Sequence, residues 1–185
     1  MNDTSNLIEL IKNVDITLDN WKYFSQYRDA AYIKDKSPLE IGFAGLYLNR
    51  TNFSGILNAN PLGGMEQKSQ YKINCRFNKK RIIKSIQELS YFSDKIEIHN
   101  MDALDFLKEK TKYKRNRNTF VYIDPPYYKK GPTLYRYFYN ENMHKELAKF
   151  IKTKSYPWLI SYDDQPEIKR IYRHSQRQHI YLDYS

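Results

Sequence analysis

The residues of this chain best suited to chemistry are Asp124-Pro125-Pro126-Tyr127, directly after the apolar run Thr119-Phe120-Val121-Tyr122-Ile123. An exocyclic amine on a heteroaromatic ring is a poor nucleophile, because its lone pair is delocalised into the ring. Two hydrogen-bond acceptors on the two N–H groups reverse this by favouring a more tetrahedral nitrogen and stabilising the positive charge that develops on it. The Asp124 carboxylate can accept one N–H. The carbonyl of Pro125 can accept the other, since consecutive prolines hold a turn rigid and carry no donor of their own. Tyr127 offers a flat ring on which a base can stack. The arrangement suits attack of an amine on an electrophilic methyl group. The plainer alternative is a strand followed by an ordinary Asp-Pro turn, although the full tetrapeptide arises by chance on the order of once in a thousand chains of this size.

Such a loop needs a strand to carry it, and Thr119–Ile123 is β-branched and aromatic throughout, as a buried strand requires. In open α/β sheets, ligands collect beyond the carboxyl ends of the strands, which is where Asp124 falls. The surrounding pattern alternates. Strands are expected at Lys95 to His99, Trp158 to Ile160 and His179 to Leu182. Helices are expected around Ala103, Phe106 and Leu107, from Glu141 to Lys152 with Leu147, Ala148 and Ile151 inward, and from Glu167 to Arg173. This order predicts right-handed crossovers and a largely parallel sheet.

The first half reads differently. Leu7, Leu10, Ile11 and Val14 recur at helical spacing over residues 4–14, and Trp21 and Phe24 mark a second helix. Ser37-Pro38-Leu39-Glu40 is a capping-box start for a third, with Leu39, Phe43, Leu46 and Tyr47 as its inner face. Asn60-Pro61-Leu62-Gly63-Gly64 signals a turn, and Gln70 to Asn74 alternates as a strand does, so a hairpin or ordered loop is expected over 58–75. Asn78 caps a helix facing inward through Ile82, Ile83, Ile86 and Leu89. The expected division of roles is residues 1–77 as a helical and hairpin recognition region, and 78–185 as the α/β portion with the Asp-Pro-Pro-Tyr loop.

The segment Thr119–Tyr127 resembles the catalytic motif of amino-methyltransferases. Asn49-Arg50-Thr51-Asn52-Phe53-Ser54-Gly55 resembles the Asn-Arg-x-x-Phe-x-Gly element of the Dam-like class of DNA adenine-N6 methyltransferases, and the two stand in that class's order. The resemblance spans roughly residues 40–185. It implies S-adenosylmethionine as cofactor, double-stranded DNA as partner, and a target adenine flipped out of the duplex. It implies DNA contacts from Asn49, Arg50 and Asn52, and from Tyr71 and Lys72 in a hairpin that inserts into DNA. Asp102, in Ile98-His99-Asn100-Met101-Asp102, resembles the acidic residue beside the cofactor's adenine. Read as residues alone, Asn49 and Arg50 can equally cap and brace a helix end, and Asp102 can equally cap a helix. Lys79, Lys80, Arg81 and Lys84 are either phosphate contacts or a solvated helix face, and the basic run from Lys108 to Arg117 either a solvated loop or a phosphate contact.

One part of the class pattern is missing: the glycine-rich strand-loop-helix for the methionine end of the cofactor. Phe43-Ala44-Gly45-Leu46 lies inside a capped helix pattern and does not qualify. The expected fold is therefore an incomplete Rossmann-like methyltransferase sheet with a mostly helical recognition region. The expected chain is a truncated or split member, with a separate amino-terminal fragment as a possible partner. A non-catalytic DNA-binding remnant, and an amino-methyltransferase acting on RNA or protein, are the competing readings.

Composition agrees with a polyphosphate partner. The 185 residues carry 31 Lys and Arg against 21 Asp and Glu, a formal charge of +10, with 18 tyrosines, many beside basic residues. An AT-biased proteome inflates the same residue types. The single cysteine, Cys75, excludes an internal disulfide and a multi-cysteine zinc site, and no metal centre is expected. The start lacks the apolar run of a signal peptide, and no stretch reaches the ~20 apolar residues of a membrane span. A cytoplasmic protein without membrane partners is expected.

Overall fold

The computed structural model describes residues 3–111, 118–129, 131, 137–173 and 180. They fall into two compact units, residues 1–97 and 98–185. Each has its own core.

The first unit is helical. Helix α1 (Thr4–Asn13), α2 (Leu18–Ser25) and α3 (Pro38–Thr51) are followed by α4 (Lys79–Ser90). The capping box expected at Ser37 is present: Glu40 N donates to Ser37 Oγ at 3.2 Å and Ser37 N donates to Glu40 Oε2 at 2.9 Å. Asn78 caps α4 by accepting from Arg81 N at 3.0 Å. The core is aromatic, with Phe24 against Tyr47 at 4.5 Å and Phe43 at 5.3 Å, and Tyr47 against Phe77 at 5.6 Å between ring centroids. Burial of each such side chain contributes about 1.5–3 kcal/mol. Ile82 of α4 closes the same core, while Leu89 is exposed, so the inner face of α4 is shorter than its periodicity suggests.

In the second unit, α5 (Ala103–Lys110) precedes strand β1 (Val121–Ile123). Helix α6 (Glu141–Ile151), strand β2 (Trp158–Ile160) and α7 (Pro166–Ile171) follow. β1 and β2 pair in parallel, Ile123 opposite Ile160, and α6 is the crossover that parallel pairing requires. Leu147, Ala148 and Ile151 of α6 are buried with Ile123, Tyr156 and Ile168, so the inward face expected for α6 is the observed one.

Two expected strands are absent. Gln70 to Asn74 forms turns, the ordered-loop alternative rather than the hairpin strand: only Ile73 is buried, and its N–H donates to the Gln67 side chain at 2.9 Å instead of to a neighbouring strand. Alternation there reflects one anchor residue, not a pleated face. Lys95 to His99 runs from a 3-10 turn into irregular chain, with Ile98 89% exposed. The strand expected at His179 to Leu182 lies outside the described residues, Ile180 excepted. What is seen is thus a mixed helix and strand fold with a two-strand parallel sheet. Among the described residues no helix is long and apolar enough to cross a membrane.

Candidate active site

The parallel register decides which residues meet. Because Ile123 pairs with Ile160, the residues that follow, Asp124 and Ser161, leave the sheet side by side at its carboxyl end. The ladder runs one step further, with Ser161 N donating to Ile123 O at 3.1 Å. Ser161 Oγ donates to Asp124 Oδ1. A serine hydroxyl has one proton and here it goes to the carboxylate, so in the 3.1 Å contact between Tyr122 and Ser161 the tyrosine is the donor. The result is a directed chain, Tyr122 to Ser161 to Asp124, ending on one carboxylate oxygen. Oδ2 of the exposed Asp124 has no hydrogen-bond partner among the described residues.

The loop beyond Asp124 is held from beneath. Pro125 is buried, and Pro126 and Tyr127 are half-buried. The Asp163 carboxylate accepts from two consecutive backbone amides, Tyr128 N at 2.8 Å through Oδ1 and Lys129 N at 2.9 Å through Oδ2. Gly131 N then donates to Tyr127 O at 2.8 Å. Below the loop, His144 of α6 is fully buried. Its Nδ1 lies 2.8 Å from Tyr162 Oη, and its ring packs against Tyr128 and Tyr139 at 5.3 and 5.5 Å. Burial pulls the imidazole below its ordinary range, and the nearby Asp163 charge opposes that only in part. Burial favours the neutral imidazole of His144 in the loop's floor.

Asp102 is the amino-terminal cap of α5. Its Oδ1 accepts from Leu104 N at 2.9 Å and Asp105 N at 3.2 Å, and its Oδ2 accepts from Tyr139 Oη at 3.0 Å. Burial, and then the bond to Asp102, push the Tyr139 phenol up to about 12. The capping alternative for Asp102 is therefore realised, with one acceptor position left on Oδ2.

In the first unit the Asn49–Gly55 element carries α3 into a tight turn. Asn52 is fully buried: it accepts from Trp21 Nε1 at 2.7 Å and donates to Ile56 O and Leu57 O, both at 2.8 Å. From that buried position it holds the turn, and its side chain is spent on internal bonds. Asn49 Nδ2 donates to Gly55 O at 3.0 Å. Gly55 has φ of +72°, and a Cβ there would lie 3.1 Å from the Asn49 amide, so glycine is favoured at this position. The turn exposes Phe53. Arg50 has a buried Nε and, among the described residues, no hydrogen-bond or ion-pair partner. Tyr71 is 64% exposed, and Lys72 donates to Gln67 O. Lys79 is committed to Lys12 O at 2.7 Å, fastening α4 to α1.

A model of the D12 class N6 adenine-specific DNA methyltransferases matches residues 1–184. This chain belongs to that family. No curated protein and no solved structure matches it. Members are S-adenosylmethionine-dependent enzymes that methylate adenine in DNA. The match takes in both units of this D12 methyltransferase, well beyond the residues 40–185 that carried the resemblance.

Asp102 Oδ2 retains an acceptor position for an amino group. Gly42 and Gly45 lie within α3, Gly55, Gly63 and Gly64 in turns of the first unit, and Gly131 beside Pro126.

Ser161, Asp163 and Tyr122 were not anticipated as site residues. The signal was available: Ser161-Tyr162-Asp163 follows Trp158–Ile160 as Asp124 follows Val121–Ile123, and the same strand-end rule applies to both.

Proposed function

We propose that this D12 methyltransferase methylates N6 of an adenine flipped out of duplex DNA, with the Asp124-Pro125-Pro126-Tyr127 loop as the amine-binding site. The observation that carries this reading is the fixed, exposed Asp124 carboxylate at the carboxyl end of β1, tied through Oδ1 to Ser161. In the proposed complex, Oδ2 accepts one N–H of the amine and the carbonyl of Pro125 accepts the other. Tyr127 stacks on the base, and Asp124 receives the proton that nitrogen sheds as it becomes methylated. S-adenosylmethionine, when bound, supplies the electrophilic methyl group. Asp102 is the residue proposed for its adenine amine, through the acceptor position left on Oδ2. The two-strand sheet is read as part of a Rossmann-like methyltransferase sheet, with recognition by residues 1–77 and chemistry by 78–185.

DNA contacts are proposed for Arg50, whose guanidinium has no internal partner among the described residues, and for the exposed Tyr71. Asn49 and Lys72 adjoin them but are partly spent on internal bonds, with Gly55 O and Gln67 O.

The test is transfer of labelled methyl from S-adenosylmethionine to adenine-containing duplex DNA. Asp124→Ala is expected to abolish transfer while leaving DNA affinity within about three-fold, since one exposed acceptor is lost and no packing. Loss of DNA affinity in step with loss of transfer would overturn the assignment. Turnover by this chain alone removes any need for a separate amino-terminal fragment. DNA binding without turnover, restored by such a fragment, would establish one, and unrestored turnover would favour a binding remnant.

A further inference from the structure

We propose that Ser161 and Asp163, at the carboxyl end of β2, are positioning residues for methyl transfer: Ser161 aims the Asp124 carboxylate, and Asp163 sets the backbone of the loop that carries it. This rests on the reading of Asp124 and Pro125 as the amine-binding pair.

Two acceptors must converge on one nitrogen for that pair to work, and neither can do so on its own. A carboxylate on an exposed side chain rotates freely about its terminal torsion and is solvated equally at both oxygens. The Ser161 hydroxyl removes that freedom by occupying Oδ1, and Tyr122 fixes the direction of the Ser161 proton by donating to it. Oδ2 is thereby the oxygen presented to the substrate. The second acceptor is a backbone carbonyl, so its direction depends on the path of the chain. Prolines at 125 and 126 restrict φ but donate nothing to hold the loop down. The first N–H groups after Tyr127 are those of Tyr128 and Lys129, and Asp163 takes both, one on each oxygen. A fork of this kind fixes the orientation of two successive peptide planes, which a single hydrogen bond does not.

Both positioning groups come from the three residues that follow β2, and the parallel register brings that segment beside the loop. Strand β2 thus serves as the template on which the catalytic loop is aligned. Misplacement of a reacting group by about 1 Å costs on the order of 100-fold in rate without touching the chemistry itself. That is the size of effect a positioning residue controls.

The full chain is compared with Ser161→Ala, Ser161→Thr, Asp163→Asn and Asp124→Ala, by steady-state methylation of genomic duplex DNA and by amide exchange in the absence of cofactor. Ser161→Ala is expected to lower kcat about 10- to 100-fold with KM for DNA within about three-fold, and Ser161→Thr, which keeps the hydroxyl, to recover most of it. Asn at 163 keeps one acceptor oxygen but turns a donor toward the other N–H. Exchange of the Tyr128 and Lys129 amides is therefore expected to quicken about ten-fold or more, while amides of α6 keep their wild-type rates. Unchanged exchange in Asp163→Asn overturns the proposal whether or not the chain turns over unaided. So does a Ser161→Ala enzyme with full kcat, or one in which Thr fails to rescue. An active Asp124→Ala enzyme would instead sink the underlying assignment of the amine site, which separates the two failures.

Discussion

At the scale of single residues, His144 and Asn52 show how buried polar groups set conditions on this fold. Burial favours the neutral form of His144, holding it below the ordinary imidazole range. As pH drops through the ordinary histidine value of about 6.5, the unfolded chain therefore takes up a proton that the folded chain refuses. Stability contributed at neutral pH is expected to be lost progressively below that value, and to level off once pH passes the folded-state pKa. Thermal melts between pH 7.5 and 5 should show a falling Tm, and His144→Gln should flatten the fall. An equal fall in the variant would assign it to other groups. Asn52 satisfies Trp21 Nε1 and two carbonyls at once. Asn52→Ala leaves those groups buried without partners, at a cost of about 3 kcal/mol. Denaturant unfolding measures it, and a loss below about 1 kcal/mol would mean that water replaces the amide.

At the scale of elements, local sequence specified some features completely and others hardly at all. The start of α3 was legible because a capping box is a contact between residues three apart, and it formed as read. The caps by Asn78 and Asn140 are of the same local kind. The Gln70–Asn74 strand failed because a strand needs a partner that the pattern itself does not reveal. The Asn49–Gly55 element stands between these cases. Its spacing was recognisable, but only the structure shows that Asn49, Asn52 and Gly55 are tied into internal contacts while Phe53 is exposed. That division makes a prediction. Ser37→Ala should cost about 1 kcal/mol of stability and leave DNA affinity unchanged. Gly55→Ala should cost about 1–2 kcal/mol and weaken DNA binding as well, because its positive φ and the nearby Asn49 force the turn to move. Melts paired with a DNA-binding titration separate the two, and equal DNA affinity for both variants would deny the turn a role in presentation.

At the scale of the whole molecule, the formal charge of +10 governs how DNA is met. Neutralised phosphates release counterions, so log K should fall linearly with log salt, with a slope of about −0.9 per phosphate contact. A slope of about −4 or steeper is expected if the basic surface makes several phosphate contacts. A nearly flat dependence, measured by fluorescence anisotropy across 50–300 mM salt, would show that the basic surface is not the contacting one.

The sequence by itself determined the chemistry. A carboxylate, two prolines and an aromatic ring in succession are covalently linked, so their suitability for binding an amine is already present in the chain, as is the charge that draws it to DNA. What only the tertiary structure decided is which groups lie beside that loop. Asp124 and Ser161 are 37 residues apart, and the parallel register of two short strands makes them neighbours. Asp163 reaches back 35 residues to the Tyr128 amide. Hydrogen bonds across such separations depend on which strands pair and in what register. Those are outcomes of packing α6 against the sheet, and no local pattern contains them.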